Sequence, residues 1–207
     1  MTLKLSTLAV LLGLGMGLPQ IIGIVNPQKF AAAVRKFPRS LPFGFALMAL
    51  GTVWFLYYLS IESAADFAAY KTHMAVAFGA IGVGTCIYVQ DFLAVRGLAI
   101  VLLLLGKLMV DTGRPYLGLT DWVLVIQTWA YVLVIAGIWF TISPWRLRDL
   151  LNWGTATEHR VRYGCMVRLA FGLFVATLGL TAFRSVEQSG ALESAITRPM
   201  TVARAAR

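Results

Sequence analysis

Residues Leu5–Val25 read LSTLAVLLGLGMGLPQIIGIV and contain no charged side chain. The hydrocarbon core of a bilayer is about 30 Å thick, and a helix needs about 20 predominantly apolar residues to cross it. Lys4 precedes the stretch, but the apolar run continues to Val25 without the small-residue cleavage site of a secretion signal. The stretch therefore predicts a transmembrane helix.

The composition of the whole chain is likewise rich in apolar residues and poor in charged ones. Of its 207 residues, 59% are hydrophobic and 13% are charged, and the mean hydropathy is +0.77. Water-soluble domains average about 45–50% apolar and about 25% charged residues. The composition excludes a disordered chain, a disulfide-rich secreted scaffold and a soluble enzyme. It predicts an all-α, polytopic helical membrane protein.

Five further stretches have the length and apolarity of a membrane span, which makes six in all. The fourth is the least regular, because Arg96 lies near its start and Lys107 and Asp111 interrupt it. The third and fourth are joined by a short turn, so we expect them to form an antiparallel central hairpin over residues 72–112. The six predicted spans are Leu5–Val25, Leu41–Leu59, Thr72–Gln90, Val95–Thr112, Asp121–Ile142 and Gly164–Phe183.

The distribution of charge predicts the orientation in the membrane. The net charge is +9, and most of the basic residues lie beside apolar spans. With six spans, ten basic residues fall on one face and seven on the other, three of these seven in the C-terminal tail. The positive-inside rule then places the basic loops in the cytoplasm and both termini outside, typical of a bacterial inner-membrane protein. The same clustering favours contact with anionic lipids and argues against a nucleic-acid partner.

Two short segments indicate an internal duplication. NPQKF at 26–30 and SPWRL at 143–147 each combine a helix-capping residue, a proline, a base and an apolar residue. Each segment begins a predicted short amphipathic helix, and another predicted span follows that helix. We interpret this as two parallel repeats, 5–59 and 121–183, that flank the central hairpin within one transmembrane domain, 1–184. Chance similarity is the alternative. Residues 185–207 lack a spanning pattern and predict a flexible or partner-bound tail.

The two short helices are basic on one side and apolar on the other, so we expect them to lie in the headgroup plane. Their simplest role is anchoring, and the alternatives are a bound phospholipid or an acidic partner subunit. The residues expected to contact lipid headgroups are Lys29, Arg35, Lys36, Arg146 and Arg148.

A polar cluster interrupts the fourth span. Lys107, Asp111 and Arg114 are spaced four and three residues apart, which puts them on one face of a helix. An ionisable group in the bilayer is costly unless it is paired or hydrated. Either Lys107 and Asp111 line a polar cavity with Gln127 and Thr128, or they form a neutralised pair that fixes packing or docks another subunit. We favour the second interpretation.

The chain carries little that resembles a catalytic or cofactor site. Its two histidines, His73 and His159, fall on opposite predicted faces and cannot share one haem. His73 alone is a possible single ligand for a haem or chlorin, but a hydrogen-bonding role is the expected one. No metal site, phosphate loop or catalytic triad pattern is present in the sequence, so we expect neither a cofactor nor an enzyme.

The leading functional hypothesis is therefore a non-catalytic accessory or assembly subunit of a larger inner-membrane complex, in contact with lipids and other membrane subunits. Small residues four apart, Gly13 with Gly17 and Ala75 with Gly79, permit the close helix contacts that such a subunit needs. The alternative is a small transporter or channel with a polar site near Lys107, Asp111 and Gln127.

Overall fold

The computed structural model describes residues 4–61 and 70–189, which form helices joined by short turns. Short 3-10 helices follow the second and fifth α-helices, at Phe37–Arg39 and Arg114–Tyr116. The last helix continues through a π-helical stretch, Gly179–Phe183, and on to residue 189. The α-helices are α1 (Leu5–Val25), α2 (Pro27–Lys36), α3 (Leu41–Ile61), α4 (Lys71–Tyr88), α5 (Leu93–Gly113), α6 (Val123–Ile142), α7 (Trp145–Gly154) and α8 (Glu158–Leu178).

The two short helices begin where the sequence predicts them. Pro27 opens α2, and Pro144 immediately precedes α7. Proline suits these positions because the first helical N–H groups have no intrahelical partner. Helix α8 has a side-chain cap, since the backbone N–H of Arg160 donates to Oγ1 of Thr157 at 3.4 Å.

Five helices are long and apolar enough to cross a membrane: Leu5–Val25, Leu41–Ile61, Leu93–Tyr116, Val123–Ile142 and Glu158–Ser189. The prediction of an all-α chain with several membrane-length helices is confirmed. The sequence predicts six spans, and the predicted span that falls outside these five is the third, Thr72–Gln90, which corresponds to α4. The sequence indicates the fourth predicted span, in α5, as the least regular. Helix α4 opens with the polar run Lys71-Thr72-His73 and contains several glycines, which lower its hydropathy.

Helices α1 and α8 pack antiparallel through glycine. A Cβ atom at Gly172 would lie 2.6 Å from the carbonyl oxygen of Gly13, so the two backbones are in direct contact. The contact extends along both helices, with Gly179 beside Ser6 at one end and Gly23 beside Cys165 at the other. Small residues allow this approach, as the Gly13 and Gly17 spacing predicts.

Among the helices other than α1 and α8, α5 makes the most extensive packing, because it contacts two long neighbours. It runs parallel to α3, with Gly44 against Leu93 and Gly97 against Leu47, and it packs on α6 as well. Helix α4 packs on α3, where the rings of Phe55 and Phe78 lie 4.8 Å apart. The two helices of the predicted central hairpin therefore run in opposite directions, but both pack on α3.

Two hydrophobic clusters hold the bundle. The larger joins α1, α5, α6 and α8 near the end where α1 begins, and includes Leu5, Met109, Ile126 and Phe183. The smaller lies at the other end, where Val95, Phe140 and Leu147 connect α5 and α6 to α7. Helices α2 and α7 lie together at this second end, which we call the basic end because both helices carry basic residues.

The two predicted repeats have the same order of elements, a long helix, a ten-residue helix and a long helix. Their packing differs, because α3 packs parallel to α5 whereas α8 packs antiparallel to α1. The predicted tail, 185–207, begins inside the continuous helix that ends at residue 189, and its residues 190–207 lie outside the described ranges.

Replacing Gly13 with leucine is expected to destabilise the bundle, because a Cβ there would overlap the carbonyl oxygen of Gly172. Overpacking of this kind costs about 1–3 kcal/mol of the free energy of unfolding. Thermal unfolding of the purified protein in detergent measures the change.

The matched control is Gly15→Leu on the same helix, since a Cβ at Gly15 meets nothing within 4 Å. Equal loss of stability in the two variants would contradict the proposed α1–α8 contact.

Candidate functional site

The basic end contains a cavity of about 750 Å³ between α1, α2, α5, α7 and α8. Its size lies within the range of ligand-binding cavities in proteins, about 300–1,000 Å³. One wall is apolar and includes Leu98 and Leu102 of α5 and Leu150 and Leu151 of α7. We refer to it as the basic-end cavity.

The apolar sides of the two short helices face this cavity. Phe30 and Val34 of α2 line it together with Leu150 and Leu151 of α7. The amphipathic pattern in the sequence predicts these apolar faces, but only the packing of α2 beside α7 and α8 turns them toward a common space.

Hydrogen bonds tie α2 to the segment between α7 and α8. Arg35 donates from Nε to Oγ1 of Thr155 at 2.8 Å and from its terminal nitrogen to the Thr155 carbonyl oxygen at 2.6 Å. Gln28 donates to the carboxylate of Glu158 at 2.6 Å. These contacts connect residues 120 to 130 positions apart and hold α2 beside the α7–α8 segment.

The polar side chains that line the basic-end cavity include two arginines and one glutamine, besides Thr155 and Tyr163. The guanidinium of Arg160 lies 5.4 Å from the centre of the Trp153 ring and donates to the Trp153 carbonyl oxygen at 3.5 Å. Arg168 lies eight residues further along α8 and is exposed. Gln20 donates to the carbonyl oxygen of Met16 at 3.2 Å, while its own Oε1 is buried without a hydrogen-bond partner among the described residues.

The residues predicted to contact headgroups lie around the basic end. Lys29, Lys36 and Arg146 are exposed, Arg35 is bound to Thr155, and Arg148 forms an ion pair with Asp149 at 2.9 Å. These five side chains are separate from the set that lines the basic-end cavity.

The predicted polar cluster forms an ion pair on the side of the bundle. Lys107 Nζ lies 2.8 Å from Asp111 Oδ2, and the two side chains are 46% and 44% exposed. Lys107 also lies over the ring of Tyr58 on α3, 5.1 Å from its centre. The pair is therefore at the junction of α5 with α3.

The other members of the predicted cluster point elsewhere. Gln127 is 7% exposed and donates from Nε2 to the carbonyl oxygen of Val110 at 3.3 Å, so it lies between α5 and α6. Thr128 borders an apolar groove with Met16 and Phe171, and Arg114 is exposed in the turn after α5. The five residues do not converge on one cavity.

The opposite end of the bundle holds a carboxylate that joins the two terminal helices. Glu187 accepts hydrogen bonds from the backbone N–H of Ser6 at 3.0 Å and from its hydroxyl at 2.6 Å. The hydroxyl of Tyr116 donates to the same carboxylate at 3.4 Å. A negative group suits the start of α1, where backbone N–H groups are unpaired.

His73 lies near the start of α4 and is exposed. Within 4–61 and 70–189, no group of three or more histidine, cysteine, aspartate or glutamate side chains is arranged to hold a metal ion.

Sequence reasoning did not select Gln20, Arg160 or Arg168 as site residues. Arg168 carried a usable signal, because it lies inside the predicted span Gly164–Phe183 and an ionisable residue within a span indicates function. Gln20 also carried a signal, because it is an isolated amide near the end of an uncharged apolar helix. Their proximity depends on the pairing of α1 with α8, which the sequence pattern does not specify.

No family model, curated protein or solved structure matches this chain.

Loss of the Arg35 side chain is expected to loosen α2 from the α7–α8 segment. In the Arg35→Ala variant, hydrogen exchange of the α2 amides should become faster, because two hydrogen bonds to Thr155 are lost. A hydrogen bond at an exposed site stabilises by about 0.5 kcal/mol, so the two together contribute about 1 kcal/mol, which is about fivefold in an opening equilibrium. Exchange measured by mass spectrometry on the protein in nanodiscs reports the change.

Lys36→Ala is the control, since Lys36 is the exposed neighbour on the same helix. The same acceleration in both variants would show that the Thr155 contacts do not hold α2.

Proposed function

We propose that this chain is a non-catalytic accessory or assembly subunit of a larger membrane complex, in which it provides helix packing, lipid contacts and a docking surface. The observation that carries the proposal is the ion pair of Lys107 and Asp111, which lies on the side of the bundle with both side chains half exposed.

The depth of this ion pair makes contact with lipid alone unfavourable. The apolar segment Leu93–Tyr116 has 24 residues and is about 36 Å long as a helix, against a hydrocarbon core of about 30 Å. Lys107 lies nine residues, or about 14 Å, before its end, which is about 11 Å inside a hydrocarbon core centred on the segment. Charged groups at such a depth are expensive unless other polar groups surround them. A helix of a neighbouring subunit with polar side chains would cover the pair.

The alternative function, a small transporter or channel, has less support. It needs Lys107, Asp111 and Gln127 to share a hydrated pathway. Gln127 is instead buried against Val110 between α5 and α6, while the ion pair faces the outside of the bundle. The proposed role therefore includes no solute pathway through these residues.

We further propose six membrane spans in two parallel repeats. Helices α3 and α5 are parallel, so the chain has to return across the bundle between them, and α4 packs antiparallel on α3. Its 18 residues are about 27 Å long, close to the thickness of the hydrocarbon core. The polar start of α4 would then lie at the membrane surface.

In this arrangement the basic end faces the cytoplasm of a bacterial cell, in keeping with the positive-inside rule. Lys29, Arg35, Lys36, Arg146 and Arg148 would contact anionic headgroups, each basic residue contributing about 1 kcal/mol. We propose neither a haem or chlorin at His73 nor a nucleic-acid partner. The tail beyond residue 189 is a candidate contact for another subunit.

Removing the ion pair is expected to separate the chain from its complex. In the Lys107→Met, Asp111→Leu double variant, a partner that co-purifies stoichiometrically with the natural chain should fall by about tenfold. This follows because interhelical polar contacts in membranes are worth about 1–2 kcal/mol. Native extraction in mild detergent followed by quantitative mass spectrometry measures the ratio of partner to chain.

An Arg39→Gln, Asp91→Asn double variant is the control, because it also removes one basic and one acidic side chain, both exposed and distant from the ion pair. It should leave the ratio unchanged. A natural chain that is recovered without partners, or that conducts ions in proteoliposomes in a Lys107-dependent way, would overturn the subunit proposal in favour of a transporter.

A further inference from the structure

The basic-end cavity has the two kinds of surface that an amphiphile requires. Arg160 and Arg168 lie on α8, and eight residues of helix correspond to about 12 Å along the axis. Opposite them, Leu98 and Leu102 of α5 continue the apolar wall in the same direction along the bundle. The cavity thus runs from the level of the short helices toward the middle of the bundle.

The charge of the lining is of one sign. No aspartate or glutamate is among the described residues that line the cavity, so neither arginine is neutralised from within it. Arg168 also makes no ion pair with any residue in the described ranges. A guanidinium group in this setting favours an anion, and phosphate fits its planar donors.

A second polar feature faces the same space. Gln20 lies on α1 at the level of Arg168, since its neighbours Gly17 and Gly23 contact Leu169 and Cys165. Its Oε1 atom is buried without a hydrogen-bond donor. Because this atom is buried and not open to the cavity, Gln20 adds a polar side chain to the wall near Arg168 but no free acceptor for the ligand.

We infer that the basic-end cavity binds an anionic lipid whose phosphate lies between Arg160 and Arg168 and whose hydrocarbon chain lies along Leu98 and Leu102. The apolar wall distinguishes this ligand from a soluble phosphate, which would leave that wall unfilled. The site is separate from the basic residues of α2 and α7 that we propose to contact headgroups, because none of these lines the cavity. The inference does not depend on the proposed role as a subunit.

The test uses the full chain in nanodiscs of phosphatidylcholine with and without phosphatidylglycerol. Lipid that remains bound after transfer to mild detergent is quantified by mass spectrometry. We expect about one phosphatidylglycerol per chain to be retained, and affinity to fall about fivefold in Arg160→Gln and in Arg168→Gln. Arg162→Gln is the matched control, because Arg162 lies on the same helix but outside the cavity. It should bind as the natural chain does.

Two further measurements separate a lipid from a free phosphate. Leu102→Trp fills the apolar wall and should abolish lipid retention, while inorganic phosphate should not displace the lipid. If phosphate competes fully and Leu102→Trp has no effect, the ligand is a soluble anion and the inference is wrong. Equal retention in the Arg160, Arg168 and Arg162 variants would also overturn it. Arg160 and Arg168 are both exposed, so each variant tests the inference independently of the other, and thermal unfolding confirms that each variant is folded.

Discussion

The contact of the α1 and α8 backbones at Gly13 and Gly172 is the interaction on which the rest of the arrangement depends. In a bilayer, lipid chains are as apolar as leucine, so helices associate through close van der Waals packing. This contact joins the two ends of the chain. It brings Ser6 to Glu187 at one end of the bundle and Gln20 to the level of Arg168 at the other.

Polar side chains within a membrane-spanning helix are costly unless they have a partner, and several of those in this protein have one. Glu187 accepts three hydrogen bonds from α1 and Tyr116, Gln127 donates to Val110, and Lys107 pairs with Asp111. The ion pair and the basic-end cavity differ from the others, because one is half exposed and the other holds arginines without carboxylates. Both proposals arise at these two places.

Much of the local structure could be predicted from particular residues. Pro27 and Pro144 mark the short helices, and the spacing of Lys107 and Asp111 brings their side chains together on any helix. The packing of α4 on α3, and the direction in which Gln127 points, could not be predicted. A uniformly apolar helix has no single buried face, because lipid and protein present similar surfaces to it.

The sequence by itself determined that the chain is helical and apolar enough for a membrane, because every backbone polar group in lipid has to be satisfied within its own helix. It also determined where most helices begin and end, since proline, charge and turn residues act locally. Only the tertiary structure decided which helices touch. The pairing of α1 with α8 and of α2 with Thr155 joins residues more than a hundred positions apart, and such contacts depend on shape complementarity that no local pattern records.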